Sequence, residues 1–554
     1  MRRTVSIPKR YTENLGADTI AGLTNGIVNV PSAIADAVLA GVNPIYALRA
    51  IIVGTPVAGL STSSELMSVS TTAATALIVG ASLSGVASNV RIEALFVLTL
   101  LVGAFQLLAG LLKLGRLTRF VSNTVMTGFL SGVAVLIILG QLSGFTGYGT
   151  TGSSKLMQTL DLLTHLNLIN PISASIGIAT LVIIIVTRRT RLRNFAAVTA
   201  VIVTTAVVQL LGLSTVGLVG SIAEISIGRP LPALPNLLLS PVVIGSALAV
   251  AIIGLIQGAG VSSSIPNPDG EYPDVSRDFA GQGLSNIVAG LFQGMPLGGS
   301  VSQTAVVLAA GAKTRITNVL TGVFVAALVV VFNAQLKIIP LPTIAALLVF
   351  IGIEIIRGQQ IREVWRTSLS SRTVLVLTFG ATLVLPIQIA VLFGVTVSVV
   401  LHLYKTSLDI QLVELAVSED GSVRERKPPT ILPSDRVTVL DFYGSAFFAS
   451  APTLQGLLPE AKQSKRAVVV LRLRGRRELG STFLKVLGRY AQELQSNGGK
   501  LVLTGVSDAL KEQLGRSKYW EVIGAQNVFL ARDEVGSSTL EAVTRANDWL
   551  ERRE

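Results

Sequence analysis

Residues 283–314 read GLSNIVAGLFQGMPLGGSVSQTAVVLAAGAKT. An apolar run gives way at Met295-Pro296, passes through Gly298 and Gly299, and restarts in a short segment headed by Ser300, Val301, Ser302 and Gln303. A second short segment of this kind, near 69–84, begins at Ser70, Thr71 and Thr72. Paired short segments in corresponding halves of a multi-spanning chain point to a transporter binding site. A helix that starts in mid-membrane leaves backbone N–H groups unpaired and carries partial positive charge at that end. Ser and Thr can cap such a start, and an anion can take up the remaining donors. On these residues alone, an ordinary helix interrupted by small residues for packing is an equal alternative.

Working outward, about fourteen apolar segments run from 18–40 to 388–404. Half of the 554 residues are hydrophobic and 14% are charged, against about 25% charged in soluble domains. With a mean hydropathy of +0.64, this predicts a polytopic α-helical membrane protein, and the plasma (inner) membrane is its expected location. With the N-terminus inside, the cytoplasmic loops hold Lys113, Arg116 and Arg119, the run Arg188 to Arg193, Arg277, Lys313 and Arg315, and Arg357 to Arg372. The outer loops hold Arg91, Lys155, Arg229 and Lys337. That asymmetry places both termini in the cytoplasm and assigns the +13 net charge to loops rather than to nucleic acid. No cysteine is present and the only histidines are His165 and His402, so no metal site, catalytic dyad or cofactor is expected. No Walker motif is visible, which argues against an ATP-driven pump.

Beyond residue 405 the composition changes. Residues 1–410 read as the transport domain and 411–434 as a polar linker with one strand. Residues 435–554 alternate β-branched runs with helical patterns, which predicts a small cytoplasmic α/β domain.

Several blocks of the chain resemble the SulP (sulfate permease) family. The first span, AGLTNGIVNVPSAIADAVLAGVNPIYAL, resembles its opening signature, and FVSNTVMTGFLSG its fifth span. Residues 283–314 are similar to its ninth and tenth spans, and LDFYGSAFFASAPTL resembles the start of a STAS domain. The resemblance implies about 14 spans as 7+7 inverted repeats and a homodimer. Spans 1–4 and 8–11 would form a core that slides, as an elevator, against a gate of spans 5–7 and 12–14. Carried over by position, the site includes Ser32 and Asp36 from span 1, Ser70, Thr71 and Thr72 from span 3, and Ser300, Val301, Ser302 and Gln303 from span 10.

Three departures stand out. Gln303 occupies a position where many relatives carry arginine. Gln257 stands where many carry a coupling carboxylate. Ser32 and Asp36 replace a glutamine and an uncharged residue. A carboxylate within a span is costly and functional by default, so Asp36 is the expected coupling residue, with sodium or a proton as its cation. Its alternative is an aspartate bonded to local backbone or to a basic residue at the cytoplasmic edge. Glu65 is expected to be solvated, and Glu354 to pair with Arg357. In the STAS domain, Ser481 and Thr482 match hydroxyl positions that are phosphorylated in related anti-sigma antagonists, although Ser481 as a helix N-cap is the simpler expectation.

The resulting expectation is secondary transport of a small inorganic or carboxylic anion, bicarbonate or sulfate, with no enzymatic activity. The alternatives are a nucleobase-type permease, a cation transporter on the same fold, and a membrane sensor acting through its STAS domain.

Overall fold

The computed structural model describes residues 13–120, 122–152, 154–222, 232, 233, 235, 241–417 and 423–552; Arg229 lies outside them. The chain divides into two compact units, 1–397 and 398–554.

Each of the fourteen apolar segments carries a helix. The first half contributes α1 (Leu15–Leu39), α2 (Pro44–Ser61), α3 (Ala73–Ser84), α4 (Arg91–Leu111), α5 (Asn123–Thr146), α6 (Pro171–Arg188) and α7 (Ala196–Leu210). The second contributes α8 (Pro241–Ser264), α9 (Val275–Leu291), α10 (Val301–Ala309), α11 (Ile316–Val331), α12 (Leu341–Ile355), α13 (Leu369–Val384) and α14 (Ile387–Leu408). Among the described residues, seven helices are long and apolar enough to cross a membrane by themselves. The helices α3 and α10 are short, with 12 and 9 residues.

Packing separates two groups. Helix α9 lies against α2 and α4, α11 against α1 and α2, and α8 against α3 and α4. Elsewhere α5 packs on α12 and α13, and α6 on α7 and α12. The first group corresponds to the expected core and the second to most of the expected gate. Glycine brings α4 and α9 backbone to backbone. A Cβ on Gly283 would lie 2.3 Å from Leu107 N, and one on Gly103 2.6 Å from Ile287 N. Small residues at helix crossings allow such approach.

Two buried carboxylates tie the first and second halves of this unit together. Asp18 accepts from Lys313 N, Thr314 N and the Thr314 and Thr317 hydroxyls at the start of α11. Asp278 accepts from the amides and hydroxyls of Ser63 and Ser64 and from Ser262 Oγ. Removing a buried acceptor orphans its donors, at about 1–3 kcal/mol each. Asp278→Ala is therefore expected to lower the melting temperature of the purified protein by several degrees, read in a thermal-shift assay. An unchanged melt would show that water replaces the carboxylate.

Two acidic residues differ from expectation. Glu65 is not solvated but 9% exposed, with Arg315 Nη2 3.9 Å from its Oε1. Glu354 pairs with Arg188 at 2.5 Å, on the neighbouring α6, rather than with Arg357. The Arg188 guanidinium also lies over the Phe350 ring, one turn before Glu354. Both partners come from distant sequence, which local spacing cannot reveal.

The second unit is a six-stranded sheet in the order β4-β3-β5-β6-β7-β8. Its strands are β3 (Gln411–Val417), β4 (Val423–Arg426), β5 (Val437–Tyr443), β6 (Val468–Arg472), β7 (Lys500–Val506) and β8 (Val528–Leu530). The last four run parallel, and β3 pairs antiparallel with both β4 and β5. Side chains alternate across β6: Val469 and Leu471 enter a core with Leu487 and Leu510, and Val468 and Val470 pack with Ala542 and Ala546. The stretch 411–434, read as a linker with one strand, holds two strands of this sheet. Helix Ser481–Ser496 is capped at Gly480 with no side-chain bond, so Ser481 is its first residue and not its cap.

A fragment of 409–552 keeps the β3–β5 ladder, whereas 435–554 exposes the edge of β5. The longer fragment is expected to be soluble with a cooperative melt, and the shorter to aggregate or melt lower by circular dichroism. Equal melts would make β3 and β4 dispensable.

Candidate functional site

Between α2 and α3 the chain runs TSSELMSVSTT with no helix until Ala73. It includes β1 (Val69–Ser70), which pairs antiparallel with β2 (Gly298–Gly299), joining Val69 to Gly299 and Ser70 to Gly298. Ser300 N donates to Ser68 O, and Ser68 N to Thr304 Oγ1. The starts of α3 and α10 are thereby held together in the core of the membrane unit.

Both starts are capped as expected. Thr72 Oγ1 accepts from Thr75 N, and Ser300 Oγ from Gln303 N. A single hydroxyl satisfies one amide, so Ala73 and Ala74 of α3, and Val301 and Ser302 of α10, have no partner within their helices. Each start also carries its share of positive dipole charge.

The close seat of β2 depends on glycine. A Cβ on Gly299 would lie 2.6 Å from Gly258 Cα and 2.9 Å from Met67 Sδ; one on Gly298 would lie 3.3 Å from Gly254 Cα. The GLIQGAG stretch of α8 thus presents a glycine track, with Gln257 between its two contact points. Gln257 Oε1 accepts from Thr72 Oγ1 at 3.1 Å.

Ser70, Thr71, Ser300 and Gln303 are buried, while Thr72 and Gln257 are partly exposed and Val301 and Ser302 open to the surface. The Ser300 and Ser302 hydroxyls lie 3.2 Å apart. Asp36 is 3% exposed, and its carboxyl sits beside the Thr71 hydroxyl. Thr71 Oγ1 closes no hydrogen bond, and no ion pair to Asp36 is found among the described residues. The alternative of a basic partner for Asp36 thus finds none among the described residues. Ser32 bonds back to Val28 O of its own helix and is not joined to the other positions.

An amide scaffold surrounds these residues and was not anticipated from sequence. On α1, Asn25 donates to Ser68 Oγ and Thr321 Oγ1, and Asn29 accepts from Ser70 Oγ. On α9, Gln282 accepts from Gly299 N, and Asn286 both accepts from Leu297 N and donates to Leu297 O. Gln106 Oε1 accepts from Asn286 in turn. Each of the first two pairs is spaced i,i+4 in an apolar span, a signal that would have found them. Asn29 Nδ2 and Gln282 Nε2 are buried donors without partners, and Gln303 Oε1 is a buried acceptor without one. Buried polar groups are normally satisfied, so these three call for a partner such as water or an ion.

This architecture has known counterparts. Residues 15–371 match the sulfate permease family and 429–535 the STAS domain. Sulfate transporter 4.1, chloroplastic, of Arabidopsis thaliana is 24% identical over 565 residues, covering 97% of this chain and 82% of that protein. The bicarbonate transporter BicA of Picosynechococcus sp. is 26% identical over 428 residues, 75% of each. The murine Solute Carrier 26 family member A9 anion transporter, in its inward-facing state, superposes with a TM-score of 0.82 at 17% identity, covering 99% of this chain and 96% of that one. At that identity the likeness establishes the fold. The chain belongs to the sulfate permease family and carries a C-terminal STAS domain.

Proposed function

We propose that this protein is a secondary transporter of a small oxyanion, sulfate or bicarbonate, bound between the starts of α3 and α10. One observation carries the reading: the β1–β2 pair joins two capped helix starts beside the unpaired donors of Asn29 and Gln282. Opposed helix starts suit an anion without a formal cation. The two relatives named by sequence are a sulfate and a bicarbonate transporter, which supports the same substrate class here.

The division of packing between α1–α4 with α8–α11 and α5–α7 with α12–α13 suits an elevator motion of core against gate. In this reading Gln257, Thr72 and Ser302 line the substrate's path, and Asp36 couples its movement to sodium or protons.

Uptake of labelled sulfate and bicarbonate into proteoliposomes, with and without sodium and proton gradients, tests the proposal. A membrane sensor would give no flux of either ion. Ser302→Leu is expected to reduce uptake to background while leaving the melting temperature unchanged, because Ser302 is exposed and its replacement fills the space beside the α10 start. Normal affinity and rate in that variant would remove α10 from the site.

A further inference from the structure

We propose that the short helix Gly358–Thr367, between α12 and α13, binds the headgroup phosphate of an anionic phospholipid through Arg362 and Arg366. The two arginines are one turn apart and exposed, and they share one face of the helix with Gly358, Gln359 and Glu363. Among the described residues neither arginine makes an ion pair. Paired guanidinium groups match phosphate geometry. Glu363, the one opposing charge on that face, is engaged through its Oε1 by Gln359 Nε2 at 3.0 Å.

The apolar face favours a lipid over a free anion. Val364 turns inward and is buried, whereas Trp365 is 47% exposed and Leu369, one turn further on, is 76% exposed. Arg372 donates from Nε to Trp365 O and lies 5.7 Å from the centre of its ring, which braces the indole in this position. Tryptophan beside arginine at the end of a spanning helix is the composition of a membrane–water boundary. Basic pockets among membrane helices on the cytoplasmic side take anionic headgroups. The inference does not depend on which ion the protein carries.

Trp365 is also the reporter. The full-length protein in neutral detergent is titrated with dioctanoyl phosphatidylglycerol, and the fluorescence of a Trp365→Phe variant is subtracted to remove Trp520 and Trp549. A saturable blue shift is expected, with at least tenfold weaker binding in Arg362→Gln/Arg366→Gln. Both substitutions are exposed and should leave folding intact. Dioctanoyl phosphatidylcholine and inorganic phosphate are expected to give no shift at the same concentrations. An equal response to phosphatidylcholine would reduce the feature to apolar insertion, and saturation by inorganic phosphate would make it a free-anion site. An unchanged response in the double variant would place the headgroup elsewhere. Each of these three results overturns the proposal.

Discussion

Gly299→Ala is expected to reduce anion uptake by ten- to a hundredfold, whereas Gly260→Ala leaves it near wild type. Each substitution adds one methyl group. At Gly260 nothing lies within 4 Å of it, but at Gly299 it would meet Gly258 Cα at 2.6 Å. The obstacle is backbone, which no side-chain rotation relieves, so β2 must move away from α8. Overpacking of this kind costs about 1–3 kcal/mol. Ser300 follows Gly299 directly, so the α10 cap shifts away from Ser68 and from the α3 start opposite. An anion shared by both starts loses donors from one of them. Uptake in proteoliposomes and the melting temperature are measured together: lost uptake with a melt within a few degrees of wild type locates the effect at the site. Normal uptake in Gly299→Ala would mean that β2 has slack and that the two starts act independently.

What was legible in the sequence was local. The hydroxyls at Thr72 and Ser300 cap their helices because capping needs only residues two or three positions apart. The fourteen helices follow from apolar runs, and Asp36 stood out because a carboxylate is rare within one. Pairing over long separations was not legible. Glu354 meets Arg188 across 166 positions, and Gln282, which holds Gly299 by its amide, becomes meaningful only once α9 and β2 are seen to be adjacent. Ser481 failed as a cap for another reason: the helix begins at Ser481 itself, one residue earlier than its hydroxyl suggested, with Gly480 in the cap position. Within 411–434 one strand was read, and the second was hidden by the charged, proline-rich composition around it. Of the two, β4 is the edge strand, where polar composition argues for exposure and not against a sheet, while β3 lies inside it, between β4 and β5.

Asp36→Asn is expected to retain anion binding but to lose its dependence on a sodium or proton gradient. The expectation rests on charge at one place. Among the residues proposed for the site, Asp36 alone is formally charged. It is 3% exposed and lies beside Thr71, within the segment that starts α3. An ionised carboxylate about 4 Å from a bound anion would repel it by about 4 kcal/mol at an effective dielectric near 20. Protonation, or a sodium ion alongside, removes that repulsion. Cation and anion then favour each other's binding by the same factor, because coupling between two bound ligands is reciprocal. A coupling of about 2–3 kcal/mol suffices to make transport of the anion alone rare. Asparagine keeps the shape and hydrogen-bonding capacity of the side chain but has no charge to neutralise. In proteoliposomes the variant should therefore exchange labelled anion across the membrane without accumulating it against its gradient. If the variant still concentrates anion when a gradient is imposed, the driving cation binds elsewhere; if wild-type uptake ignores both gradients, no cation drives it, and in either case Asp36 is a packing residue.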